Sequence, residues 1–111
     1  MSREIKFRAW NGVDYVLTDE IEFQDIVSMQ KKGFVFEQYT GLKDGNGKEI
    51  YEGDLLKDEN GRIRIAVFAY GAFKVMWNND NPTQLNLYPL NKHWEVIGNI
   101  HENPELMENV K

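Results

Sequence analysis

This sequence predicts a mainly β fold, a small closed barrel or two sheets packed face to face, preceded by a hairpin and one short helix. Three observations point there. Fourteen of the 111 residues are aromatic, and aromatic and β-branched side chains suit pleated surfaces better than helix interiors. Apolar residues alternate with polar ones over short segments. Glycine-containing turns separate those segments at close spacing, and closure or face-to-face packing would hide the sheet edges.

Along the chain, Ile5, Phe7 and Ala9 alternate with Lys6 and Arg8 as in a half-buried strand. Asn11-Gly12 suits a two-residue turn, which returns Val13–Leu17 antiparallel to that strand. Residues 19–32 fit both periods, and a short helix over about Gln24–Lys32 is favoured. Lys31 and Lys32 complement its dipole, and Gly33 supplies a left-handed cap. Phe34–Tyr39 reads as a strand, and Gly41–Lys48 as a loop. A strand starts near Asp54, and the Asp58–Gly61 turn leads into Arg62–Ala69, with Ile63, Ile65 and Val67 on one side. Gly71 allows a reversal into Phe73–Trp77, which Asn78–Pro82 ends. Gln84–Tyr88 and Trp94–Ile100 are further strands, and Pro104 opens a helix over Glu105–Val110.

The length suits one domain, 1–111, with a soft subdivision between a hairpin-and-helix region at 1–38 and a barrel at 39–111. Without cysteine there are no disulfides, no thiolate chemistry and no ordinary structural zinc site, which fits a reducing cytoplasm. The longest apolar run, Ile65–Phe73, falls far below the roughly 18 residues needed to span a bilayer. The charged residues among Ile5 and Phe7 do not make a signal peptide, so a cytoplasmic protein is expected.

Three blocks carry a resemblance. They are R-E-I-K-F-R-A-W at Arg3–Trp10, Q-Y-T-G-L-K-D-G-N-G-K-E-I-Y-E-G-D at Gln38–Asp54, and E-V-I-G-N-I-H-E-N-P-E-L at Glu95–Leu106. In that order they resemble the YopX family of phage and prophage proteins. The resemblance implies an SH3-like barrel in the C-terminal part, an origin in a bacterial host cytoplasm, and no established biochemical activity.

Candidate chemistry is sparse. Asp44–Glu49 superficially matches a calcium loop, but Lys48 and Glu49 occupy its fifth and sixth positions, where an oxygen ligand and a glycine belong. His93 and His101 have no cysteine to join them at a metal. Ser2 and Ser28 lack a neighbouring base. Glu52 and Asp54 could share a strand face as general acid and base, although a turn entering a strand is the simpler reading. Neither an enzyme, nor a cofactor, nor a metal is expected.

Binding is the leading functional expectation. The net charge of -5 is concentrated in Asp14, Asp19, Glu20, Glu22 and Asp25, a stretch without Lys or Arg. Such a stretch could dock on a basic protein partner. The alternative is a nucleic-acid-binding barrel, with Arg62, Arg64 and Lys74 as its phosphate-facing patch and Tyr39, Tyr51, Tyr70, Trp77 and Trp94 as a stacking platform. Exposed edge strands leave self-association open, but no heptad repeat or apolar patch selects a stoichiometry.

Overall fold

The computed structural model describes residues 6–17, 23–78 and 81–109. Strands β1 (Phe7–Trp10) and β2 (Tyr15–Leu17) form the first hairpin. Its register pairs Trp10 with Tyr15, so the turn has four residues and not two. The Asn11 side chain decides this. Its Oδ1 accepts hydrogen bonds from the amides of Val13 and Asp14, both at 2.8 Å, an Asx-type cap that needs the longer loop.

Helix α1 (Phe23–Lys31) lies close to its expected place and ends in a Schellman cap. Gly33, at φ +95°, donates to the Gln30 carbonyl and Phe34 donates to that of Met29. Strand β3 (Val35–Lys43) is longer than expected, and the sequence-based subdivision at 38 falls inside it. It pairs first with β1 and then with β4 (Glu49–Tyr51). Its register shifts between Tyr39 and Lys43, and within that interval Gly41 takes φ +82°. That glycine is therefore a bend inside a strand, and the loop shortens to Asp44–Lys48.

Strands β5 (Asp54–Lys57), β6 (Ile63–Ala69), β7 (Ala72–Asn78) and β8 (Asn81–Asn86) follow as an antiparallel meander. A short 3-10 helix at Asn91–His93 leads into β9 (Glu95–Asn99), which returns to pair with β5. The helix expected to open at Pro104 is present as a 3-10 helix over Pro104–Asn109. It opens with the Leu106 amide bonding the Asn103 carbonyl, three residues back.

The strands make two antiparallel sheets, in the orders β2-β1-β3-β4 and β8-β7-β6-β5-β9. The mainly β class holds. The strand pairing gives two sheets and does not itself establish the SH3-like closure that the resemblance implied. One core cluster gathers Ile50, Leu56, Ala66, Val75, Leu87 and Trp94, and the other gathers Leu55, Ile63 and Ile65 under Ile97, Ile100 and Leu106. Leu55 and Leu56 are consecutive in β5, and their side chains point to opposite faces. The five-stranded sheet is therefore covered on both faces. Among the described residues, no helix is long and apolar enough to cross a membrane.

Candidate functional site

The three sequence blocks meet at one place between the sheets. Arg8, from β1, reaches across with its Nε donating to Glu37 Oε1 at 2.9 Å and its Nη2 to Asp54 Oδ1 at 2.8 Å. Its guanidinium carbon lies 4.3 Å from the Tyr15 ring centre and 4.8 Å from that of Tyr51, so two rings flank the cation. The Tyr15 hydroxyl donates to Glu37 Oε1 at 2.8 Å. His101 sits with Nε2 3.3 Å from Glu37 Oε2 and its ring stacked on Trp10 at 5.1 Å.

Backbone geometry explains how these groups fit. Gly53 lies at φ +84° directly beneath Glu37, and a Cβ there would fall 2.2 Å from Glu37 Oε2. The tight Glu52-Gly53 turn turns Asp54 inward, where its Oδ2 accepts the Tyr51 amide at 2.8 Å. Glu52 instead faces Gln38, accepting its amide at 2.8 Å, so the two carboxylates do not converge as an acid–base pair. At the end of β9, Asn99 Oδ1 accepts the amides of His101 and Glu102, folding the turn that presents His101.

The electrostatics follow from burial. Burial pushes the Asp54 carboxyl up to about 6, helped by the Glu37 charge and opposed by Arg8 and the Tyr51 amide. Burial also raises Tyr15, with its hydrogen bond to Glu37 adding to the effect. For Arg8, burial works against the charge, but Asp54 and Glu37 outweigh it and hold the guanidinium above its ordinary value.

Beside this cluster lies a cleft of about 460 Å³. It is lined by Arg8, by Lys48, Glu49, Tyr51 and Asp54, and by Val96 to Asn99 with Glu102 and Asn103. Every one of these residues falls within one of the three blocks. The Asp44 turn contributes Lys48 to that lining. Asp44 Oδ1 accepts the amides of Asn46 and Lys48, and Oδ2 accepts that of Val96 in β9. Burial would raise Asp44, yet these three amides outweigh it and hold the carboxyl below its ordinary value. The would-be calcium loop thus uses its first carboxylate on backbone amides. No group of three or more His, Asp or Glu among the described residues could hold a metal ion.

The nucleic-acid patch does not assemble. Arg62 is exposed, whereas Arg64 is 2% exposed, points into the structure from the face that carries Ala66, and donates to the Ile63 carbonyl. Lys74 bonds Asn86 Oδ1 at 2.8 Å. The alternation holds in the strand, but with both sheet faces covered it does not separate inside from outside. Of the stacking platform, Tyr39 and Trp94 are buried and Tyr51 flanks Arg8, Tyr70 stands out in solvent, and the Trp77 side chain lies outside what the structure describes. Of the acidic stretch, Asp14 sits exposed on the hairpin loop and Asp25 exposed in the first turn of α1, while Asp19, Glu20 and Glu22 lie outside the described residues. Sequence reasoning missed the Arg8–Glu37–Asp54 cluster, whose members are 17 to 46 residues apart along the chain; a lone glutamate amid the apolar residues of β3 was the only local sign.

A second surface lies at the β6–β7 hairpin. Tyr70 has φ +53° and is 93% exposed, the one non-glycine residue with positive φ among the described residues. Together with Gly71 at φ +79° it forms the turn. Next to the turn, exposed Phe68 and Tyr88 line an uncharged groove of about 380 Å³ that includes Gly71, Leu42 and Phe73.

The family model described as YopX protein matches residues 13–108. Two solved structures share the fold. Protein EF1440 from Enterococcus faecalis aligns with a TM-score of 0.59 at 27% identity, covering 96% of this chain and 99% of that one. Protein yopX from Bacillus subtilis aligns with a TM-score of 0.59 at 20% identity, covering 91% and 96%. No curated protein matches. The family match begins after the first block, but it takes in most of the chain together with the second and third blocks, and on that ground the chain belongs to the YopX family.

Proposed function

We propose that this chain is a non-catalytic phage or prophage accessory module of the bacterial cytoplasm, acting by binding a protein through the aromatic tip of the β6–β7 hairpin. One observation carries the reading. A tyrosine stands almost fully exposed at a turn position where the left-handed backbone favours Asn or Gly. Strain of this kind, of order 1–3 kcal/mol, gathers where function holds it in place. Phe68 and Tyr88 extend the aromatic surface beside it. Tyrosine is enriched at protein interfaces because a rigid ring gives contact area at little entropic cost. The Arg8 cluster supports the same reading from the other side, because its buried charges are engaged with one another.

The test immobilises the chain and compares proteins recovered from a bacterial lysate by the wild type and by Tyr70→Asn and Tyr88→Ser. A partner retained by the wild type and lost by both variants is the expected result. Equal recovery by all three would defeat the reading. A low-salt association with single-stranded DNA that Tyr70→Asn abolishes would move it to nucleic acid. Asp14→Lys with Asp25→Lys, in the same assay, reports any contribution of the acidic segment.

A further inference from the structure

The Arg8 cluster is unbalanced in charge. Two buried carboxylates, Glu37 and Asp54, converge on a single guanidinium, which leaves one negative charge over. The imbalance lies across the sheet junction, since Arg8 and Glu37 belong to the four-stranded sheet while Asp54 and the turn bearing His101 belong to the five-stranded one. Asp54 faces Arg8 from β1 and Glu37 from β3, with the Tyr15 hydroxyl from β2 on the same Glu37 oxygen. Lys48, Glu49 and Glu102 share its cleft. His101 faces Glu37 and the rings of Trp10 and Tyr15.

We infer that this cluster is a proton-operated latch between the two sheets, closed when it holds one proton besides the Arg8 charge and loosened when that proton leaves. The proton resides on Asp54, the carboxyl that burial raises. That placement cancels the excess charge where low polarity makes an unmatched charge costly.

The test uses the full chain. The Asp54 carboxyl carbon and the His101 ring are followed by NMR across the pH range, and the urea midpoint is measured in parallel. Asp54 should titrate near 6, well above an ordinary aspartate. The urea midpoint should fall as pH rises from about 4 to about 7, because the folded chain binds the extra proton in that window. Glu37→Gln should move the Asp54 titration to lower pH, and Asp54→Asn should flatten the slope. His93→Ala, which removes the exposed histidine beside Glu59, should leave the slope intact. An Asp54 that titrates near 4 in the wild type, a urea midpoint flat across that window, or a slope that survives Asp54→Asn would each overturn the latch. The wild-type titration decides the matter even where a variant does not fold.

Discussion

At the scale of single residues, Arg8 and Gly53 carry the junction. Arg8→Met would leave Glu37 and Asp54 buried without their cation, and removing one member of a buried ion pair costs about 3–5 kcal/mol. That loss should appear in urea unfolding at pH 7 and shrink towards pH 5, as Asp54 takes up a proton. Gly53→Ala should cost at least about 1–3 kcal/mol from its left-handed backbone alone, and more because Glu37 must move away from the new methyl group. Neither residue could be weighed from sequence. Arg8 reads as an exposed charge on an alternating strand and Gly53 as an ordinary turn residue. Their importance comes from Glu37, which lies 29 positions from Arg8.

At the scale of elements, turns are held by side chains whose partners lie both near and far. Asp44 links its own turn to β9, so Asp44→Ala should leave the Val96 amide without its acceptor and cost about 1–3 kcal/mol, read by denaturant midpoint. Amide exchange should also quicken at Val96 while leaving β6 and β7 protected. The β6–β7 turn predicts the reverse sign. Tyr70→Asn relieves a left-handed tyrosine and should raise stability by about 0.5–1 kcal/mol while removing partner binding, the trade expected where a strained position is kept for function. Local signals served well here. Asn11, Gly33, Asp58-Glu59-Asn60-Gly61 and Gly71 all mark real turns, because the chemistry of a turn is contained within a few residues. They failed at Gly41, where β3 continues through the glycine by shifting its register against β4.

At the scale of the whole molecule, two carboxylates with opposite shifts predict the shape of the acid response. Asp54, raised in the folded state, makes the protein more stable as pH falls through about 6, a gain complete near 4. Asp44, lowered in the folded state, contributes stability above about 4 that is lost as pH falls further. Thermal midpoints should therefore pass through a maximum between about pH 4 and pH 6. In Asp54→Asn the upper limb should vanish and the acid limb should stay.

Composition, alternation and turn chemistry by themselves determined the mainly β class, the place of most strands along the chain and the helix capped by Gly33, because each depends on neighbours within a few positions. The three blocks pointed to the family from sequence as well. Only the tertiary structure decided that Arg64 lies inside, that Glu37 and Asp54 share one guanidinium, and that the three blocks line one cleft. Those outcomes depend on which faces of two sheets are covered and on contacts between distant segments, and a period of two residues specifies a face without saying what will pack against it.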